Sequence, residues 1–195
     1  LDRFQNWGFT SFGNWAGVEF YNNNRIPYFA NGWIIGNIPM ISAGYWGAEL
    51  PDVFDPKFLE RTEVTMKTIA KEVQNNPWCI GVFVDNEKPW GLGSNPTTKY
   101  GVIFETFKFD ASKSSAKKAF INILKEKYKS ISELNKSWET NIKSWNILEN
   151  KIDLKNEKEY SENFIADFSS LMHAFASKYF STVQKTLKKH MPNHL

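Results

Sequence analysis

Cysteine is almost absent from this sequence, since Cys79 is the only one among 195 residues. A lone thiol excludes an intramolecular disulfide framework, and its position inside an apolar segment favours a buried, small hydrophobic residue over a nucleophile. Long apolar runs are missing as well, because no stretch approaches the ~18 apolar residues that a membrane span needs. The sequence therefore predicts neither a disulfide scaffold nor a membrane partner.

Motifs for metal, phosphate or nucleophilic chemistry are also lacking. The three histidines, His173, His190 and His194, do not have the spacing of a metal triad. The glycine pair in Gly91–Ser94 lacks both the spacing and the lysine of a phosphate-binding loop. No serine or cysteine lies in a nucleophile-elbow context. We therefore expect no metal and no cofactor.

Charge of one sign does not dominate, since 24 basic and 21 acidic residues leave a net charge of +3. The basic excess lies mainly in lysine-rich helical segments, for example Lys117, Lys118 and Lys185–Lys189, which we interpret as solvated helix faces. Because no arginine-rich or RNP-like pattern accompanies these lysines, a nucleic-acid partner is not expected. Hydrophobic residues make up 42% of the chain, which is ordinary for a folded globular protein.

Aromatic residues are abundant, at 16% of the chain with 8 tryptophans. Most of the rings must lie in the core, but four tryptophans lie in segments rich in Gly, Asn and Pro rather than in periodic ones. They are Trp15, Trp33, Trp46 and Trp90. Rings on loops beside polar groups suit the apolar faces of sugars, and a satellite core beneath long loops explains them at least as well. Both interpretations stay open at this point.

The order of the predicted elements in the first half is typical of a parallel α/β sheet. Strands are predicted within Gly8–Trp15 and Arg25–Asn31, and a long aromatic loop covers Gly32–Asp55. Asp55 caps a helix that begins at Pro56 and ends before Asn75-Asn76-Pro77. A third, strongly apolar strand follows at once and ends at Asp85-Asn86-Glu87.

Helices dominate the second half of the chain. Apolar stripes predict a helix capped by Ser114 or Ser115, a second over Ile131–Trp138 and a third from about Tyr160 to Lys189, with a connector at Lys143–Asp153. Met191–Leu195 resembles the turn before another strand. Three strands and an unfinished fourth do not close a (β/α)8 barrel, which takes about 250 residues. The predicted fold class is therefore α/β, a partial (β/α)8 TIM barrel of parallel strands with flanking helices, incomplete at both ends.

The beginning of the chain agrees with an incomplete barrel. Leu1–Gly8 looks like the last turns of a helix that closes at Gly8, and a natural domain seldom starts there. We expect residues 1–195 to form a single domain that is a fragment of a longer protein. Open barrel edges expose unpaired backbone groups and apolar surface, so the chain's own helices or a second copy in a homo-oligomer should cover them.

Asp85-Asn86-Glu87 lies where α/β proteins place their active sites, at the carboxyl end of a strand. Side chains alternate along a strand, so Asp85 and Glu87 share a side unless the following turn re-aims them. Rings such as Trp90 and a like-charged neighbour would raise the pKa of one carboxyl, which a proton donor requires. The Asn86 amide can donate to a sugar hydroxyl. The alternative is that these residues only cap the turn.

The chain resembles the clan A glycoside hydrolases, and within them most of all the β-agarase family, family 50. The matching segments follow the family order along nearly the whole chain. They are Trp7–Trp15, Ile26–Phe29, Asp55–Phe58, Ile80–Glu87 with Trp90-Gly91, and Leu134–Trp138. Related β-galactosidases are similar in Asp85-Asn86-Glu87 and in the Leu-Asn-x-x-Trp segment.

This resemblance implies a retaining mechanism with two glutamates on strand ends of a (β/α)8 barrel. Glu87 would be the general acid/base, and Asn86 would orient the substrate beside it. Asn14 and Trp15 would be a loop-end pair near the sugar, and Asp85 and Trp90 complete the expected substrate-binding set. The implied partner is a polysaccharide or oligosaccharide, a β-linked galactan such as agarose, and the full-length parent would be secreted or periplasmic.

The nucleophilic glutamate of the family lies on a later strand, and no segment after Glu87 resembles that strand. Glu105 and Asp110 are the nearest downstream acids, but they do not follow a convincing strand. We therefore expect the isolated fragment to lack the nucleophile and to be inactive. Two alternatives are a non-catalytic carbohydrate-binding remnant, whose loop aromatics hold sugar without turnover, and a self-associating structural fragment.

Overall fold

The computed structural model describes residues 1–155 and 159–195. Its elements, in chain order, are α1 (Asp2–Asn6), a 3₁₀ turn (Val18–Phe20), β1 (Tyr28–Gly32), β2 (Met40–Ser42), β3 (Glu49–Pro51), α2 (Pro56–Val73), β4 (Cys79–Val84), α3 (Pro96–Lys99), α4 (Gly101–Phe107), α5 (Ser115–Lys127), α6 (Ile131–Trp138), α7 (Trp145–Glu149) and α8 (Glu162–His190).

The chain divides into two compact units. The first unit comprises Leu1–Gly36, Leu59–Glu87 and Ser181–Leu195, and the second comprises Asn37–Phe58 and Lys88–Phe180. The expectation of one domain over residues 1–195 stays a prediction.

The first unit is built on the parallel pair β1 and β4, whose register sets Gly32 opposite Val84. Helix α2 leads into β4 and buries Met66 and Val73. A Cβ added at Gly32 would lie 2.6 Å from Cδ1 of Ile69, so this glycine lets α2 approach β1 closely. The prediction of an α/β fold with parallel strands and helices is confirmed.

Single residues pair on either side of this two-stranded sheet. The Phe12 N–H donates to the Pro27 carbonyl at 2.8 Å, which makes an isolated parallel bridge to β1. Leu195 donates to the Ile80 carbonyl and accepts from the Val82 N–H, both at 3.0 Å, which is the bonding pattern of a parallel neighbour of β4. A Cβ on Gly81 would lie 2.4 Å from the Leu195 carbonyl oxygen, so only glycine permits this approach.

The second unit holds an antiparallel hairpin, β2 with β3, and an aromatic core. The rings of that core stack along helix α8, with centroid distances of 4.2 Å from Phe164 to Phe168 and 4.6 Å from Phe104 to Phe168. Trp138 of α6 meets Phe164 at 4.9 Å. Rings at this spacing bury large apolar areas and make a rigid core.

The helix predictions are largely confirmed. Every member of the predicted α8 stripe is buried, namely Phe164, Phe168, Leu171, Phe175, Tyr179, Val183 and Leu187. Ser114 caps α5 as expected, since its hydroxyl accepts the Lys117 N–H. The predicted apolar stripe of α2 is buried except for Leu59, which is 51% exposed; its members are Phe58, Leu59, Thr62, Met66, Ile69, Ala70 and Val73. Cys79 is buried, and burial raises the pKa of its thiol, as the hydrophobic interpretation requires.

Four predictions need correction. The strand expected over Gly8–Trp15 reduces to the single bridge at Phe12. The expected loop over Gly32–Asp55 contains the β2–β3 hairpin, and the expected connector at Lys143–Asp153 contains α7. Lys117 was assigned to a solvated helix face but is fully buried, because its ammonium group bonds to three backbone carbonyls inside the second unit.

Candidate active site

The carboxyl end of β4 is shaped by two residues with left-handed backbone. Asp85 has φ 55° and Glu87 has φ 46°. Residues other than glycine pay about 1–2 kcal/mol for this conformation. Such strain persists only where the surroundings impose it, and it clusters at functional sites.

The side-chain alternation of β4 does not extend to the three polar residues that follow the strand. Because β4 ends at Val84, strand alternation does not continue into Asp85-Asn86-Glu87, and the shared side expected for Asp85 and Glu87 on that basis does not apply. Glu87 is exposed, whereas Asp85 and Asn86 are half-buried. The carboxylate at position 87 is therefore the more accessible of the two.

Asp85 joins the ends of the two parallel strands. Its N–H donates to the Gly32 carbonyl at 2.8 Å, and its Oδ1 accepts the N–H of Ile34 at 2.9 Å. These two hydrogen bonds fix the backbone on either side of Trp33. The structure thus gives Asp85 a role in ordering the segment after β1, and its expected contact with substrate stays a prediction.

Asn14 and Trp15 lie at the same edge of the sheet. The Trp15 N–H donates to Asn14 Oδ1 at 3.0 Å and to Oδ1 of Asn31, near the end of β1, at 3.4 Å. Trp15 is 62% exposed and has φ 67°. The first unit therefore brings Asn14, Trp15, Asp85, Asn86 and Glu87 to the carboxyl ends of its parallel strands.

Trp33 belongs to this edge, although it was not among the predicted site residues. It directly follows β1, is 41% exposed, and its ring centroid lies 5.3 Å from that of Trp15. Its place after a predicted strand, in a segment rich in Gly and Asn, was the sequence signal that could have assigned it to the site. The sequence could not distinguish an exposed ring there from one in a satellite core.

Trp90 lies in the second unit. Its ring packs on helix α8, with centroid distances of 5.3 Å to Tyr179 and 5.4 Å to Phe180. Its expected contact with substrate stays a prediction.

Neither metal ligation nor a membrane span is indicated in the described ranges. No group of three or more His, Cys, Asp or Glu side chains there could hold a metal ion. No helix in the same residues is long and apolar enough to cross a bilayer. Of the histidines, His190 pairs with Glu63 at 2.6 Å and His173 lies 3.3 Å from the Ser177 hydroxyl.

Comparison with curated proteins identifies close relatives. No protein-family model matches the chain. The chain is 43% identical over 198 residues to β-agarase B of Vibrio sp. (strain JT0107), and 36% identical over 207 residues to β-agarase A of the same strain. Each match covers 100% of this chain and 20% of the relative, so the chain spans about a fifth of their length.

Solved structures extend the comparison to the fold. An exo-β-agarase matches with a TM-score of 0.93 at 41% identity, and the agarase AgWH50C with 0.93 at 44%. Both cover 100% of this chain, which corresponds to 27% of theirs. A β-galactosidase from Rahnella sp. R3 covers 91% of the chain with a TM-score of 0.60 at 15% identity, which is a likeness of fold alone. Over its entire length, this chain is thus similar in sequence and in structure to one segment of the β-agarases, as its motifs suggested.

Proposed function

We propose that this chain supplies the acid/base half of the active site of a retaining glycoside hydrolase that acts on a β-linked galactan such as agarose. The observation that carries the proposal is the similarity of the whole chain to β-agarases, at 36–44% identity. The position of Glu87, exposed at the carboxyl end of a parallel strand, agrees with it. Glu87 would be the general acid/base.

In the proposed reaction, Glu87 donates a proton to the glycosidic oxygen as the bond to the leaving sugar breaks. A second carboxylate, about 5–5.5 Å away, attacks the anomeric carbon, and Glu87 then takes a proton from the water that releases the sugar. The Asn86 amide would hold a sugar hydroxyl during both steps.

The two downstream acids considered from the sequence are engaged in other interactions. Glu105 lies in helix α4 and pairs with Lys155 at 2.7 Å and Lys108 at 3.0 Å. Although burial raises the pKa of Glu105, these ion pairs hold it below its ordinary value. Asp110 accepts the Lys151 N–H at 3.1 Å in the second unit. These contacts support the proposal that neither Glu105 nor Asp110 is the nucleophile.

A partial (β/α)8 barrel is the architecture we propose for the chain. The parallel pair β1 and β4 with α2 before β4, and the parallel bonding of Phe12 and Leu195 at its flanks, support this assignment. The open edges of such a sheet would be covered by the chain's own helices or by a second copy.

Replacement of Glu87 tests the acid/base assignment. In the full-length gene product, Glu87→Gln should lower kcat for reducing-sugar release from agarose by about 10²–10⁴-fold, because amide cannot donate or accept the proton. Glu72→Gln is the matched control, since Glu72 is exposed near the end of α2, before the amino end of β4. Full activity in Glu87→Gln would rule the assignment out.

Carbohydrate binding without turnover is the second candidate function, and the exposed Trp15–Trp33 pair favours it. A full-length product that binds agarose oligosaccharides but releases no reducing sugar would identify this function instead.

A further inference from the structure

We infer that Trp15 and Trp33 together form a sugar-stacking platform at the strand edge that ends in Glu87, and that Asp85 positions this platform. The inference deepens the proposed function and rests on it. It adds Trp33 to the substrate site and changes the expected role of Asp85 from a substrate ligand to a positioning residue.

The two indole rings are arranged for contact with a ligand. They are 62% and 41% exposed, their centroids lie 5.3 Å apart, and their planes are inclined by 38°. Rings that served only as core would be largely buried. Two adjacent apolar faces of this size match the C–H faces of successive sugar rings, while the polar groups around them suit sugar hydroxyls.

The backbone beneath Trp33 is held at three successive residues. The Trp33 carbonyl accepts the Thr65 hydroxyl at 2.8 Å, and the Ile35 carbonyl accepts the Arg61 Nε–H at 2.7 Å. Between them, the Ile34 N–H donates to Asp85 Oδ1 at 2.9 Å. An exposed ring on a backbone fixed in this way loses little conformational entropy when a ligand binds.

The backbone beneath Trp15 is fixed as well. Its N–H is shared by the side-chain oxygens of Asn14 and Asn31, and its φ of 67° requires such support. Asn31 belongs to β1, the strand that Trp33 follows. The backbone of both tryptophans is thus fixed relative to the same strand, β1.

Asp85 connects this platform to the acid/base strand. Its N–H and its carboxylate bond to Gly32 and Ile34, the two neighbours of Trp33 in the chain. Since Asp85 lies two residues before Glu87, the position of the Trp33 ring is coupled directly to the strand end that carries the proton donor. A substrate that stacks on the rings is thereby set in a defined register relative to Glu87.

Binding of neoagarotetraose by isothermal titration calorimetry tests the platform. The experiment uses the full-length gene product with Glu87→Gln, so that the probe is not cleaved. Trp33→Ala and Trp15→Ala should each raise Kd by about 10-fold, because each removes one stacking face. Unchanged affinity in both variants, or no binding by the Glu87→Gln protein itself, would overturn the inference. A change confined to self-association would overturn it too.

Trp7→Ala is the matched control. Trp7 is 70% exposed and lies in the same unit, but it follows helix α1, which Asp2 ties to Arg25 before the amino end of β1. Its removal should leave Kd unchanged. A loss in Trp7→Ala equal to that in Trp33→Ala would show a general effect of tryptophan removal and would overturn the platform.

The positioning role of Asp85 has its own readout, the exciton signal of two coupled indoles in circular dichroism. Asp85→Asn keeps the Oδ1 acceptor and should keep both the signal and the affinity. Asp85→Ala should lose the signal and bind as weakly as Trp33→Ala. Weak binding with the signal intact would instead make Asp85 a direct ligand. Thr65→Val, which removes the bond to Trp33 without touching the sheet edge, should also diminish the signal, and an unchanged signal there counts against the proposal.

These tests separate the platform from the proposed function. If activity survives in Glu87→Gln, the acid/base role is refuted, but the Kd values of the tryptophan variants still test whether the rings bind sugar. If Glu87→Gln loses activity as expected but the tryptophan variants bind with unchanged Kd, only the platform is refuted and the acid/base role stands.

Discussion

At the scale of single residues, Lys117 shows how the second unit uses a buried charge. Its side chain is fully buried, and its Nζ donates to the carbonyls of Phe107, Phe109 and Asn150 at 2.7, 3.2 and 3.1 Å. Phe107 is the last residue of α4, and its carbonyl also accepts the Ile152 N–H at 3.0 Å, so the ammonium group adds a second donor at this helix end. Burial lowers the pKa of Lys117 from 10.5 to about 8.

Replacing Lys117 with methionine should lower the free energy of unfolding at pH 7 by about 1–3 kcal/mol, because the carbonyls of Phe107, Phe109 and Asn150 lose the donor that they share. The deficit should grow as the pH rises from about 8 to 10.5. In this window the unfolded chain binds more protons than the folded one, so the native lysine adds stability as the pH increases. Urea unfolding across this range, with the exposed Lys118→Met as control, measures both effects. A constant deficit from pH 7 to 10.5 would contradict the expectation.

Lys117 also marks a limit of sequence reasoning at this scale. Its spacing fits the apolar face of α5 as well as the solvated one, and only the positions of the carbonyls at 107, 109 and 150 decide for burial. The residue types of Asp85-Asn86-Glu87 and their place after an apolar strand could be predicted. The left-handed turn that exposes Glu87 could not, because it depends on bonds from Asp85 to a segment 51 residues away.

At the scale of secondary-structure elements, the left-handed backbone conformation of Glu87 recurs at the end of a helix. Helix α6 ends at Glu139, whose φ is 57°, and a backbone N–H at this helix end donates to the Asn135 carbonyl. Glycine usually occupies such a position, since it has no Cβ to strain. The two glutamates share a conformation but differ in context, because Glu87 lies at the candidate site and Glu139 at a helix end.

Glu139→Gly should therefore raise the free energy of unfolding by about 0.5–1 kcal/mol, since relief of about 1–2 kcal/mol of strain exceeds the extra entropy of the unfolded chain. Activity of the full-length product should not change. The control is Lys136→Gly in the last turn of the same helix, which should cost up to about 1 kcal/mol. Thermal unfolding of the two variants decides the matter, and a loss of stability in Glu139→Gly would refute the strain argument.

The elements that could be predicted are those with strong local signals. The α8 stripe and the Ser114 cap of α5 depend on spacing and on one hydroxyl within a few residues, and both are found. The hairpin of β2 and β3 has strands of three residues, and α7 has five, which is too short for any periodicity to show. Apolar and small residues alternate over Gly8–Trp15 as they do in a strand, yet the segment pairs only at Phe12. Strand pairing depends on β1, which is remote in sequence and not visible in the local pattern.

At the scale of the whole molecule, the candidate site is an assembly of segments that are remote in sequence. Asn14 and Trp15, Trp33, and Asp85 to Glu87 meet because β1 and β4 are parallel and adjacent, so that their carboxyl ends lie at one edge. The place of Asp85, Asn86 and Glu87 at a strand end could be predicted from the apolar strand before them. The assignment of Asn14 and Trp15 to the sugar site came from the family resemblance and stays a prediction, as does that of Trp90, which lies in the second unit.

The proposal that the chain carries only the acid/base half of the site leads to a prediction for the chain as a whole. A retaining site needs two carboxylates about 5–5.5 Å apart, and Glu105 is committed to ion pairs with Lys108 and Lys155. A protein of residues 1–195, shown to be folded by circular dichroism, should bind neoagarotetraose but release no reducing sugar from agarose, whereas the full-length gene product should release it. Hydrolysis by residues 1–195 that disappears in Glu87→Gln would place a second carboxylate within the chain and would overturn the proposal that it carries only half of the site.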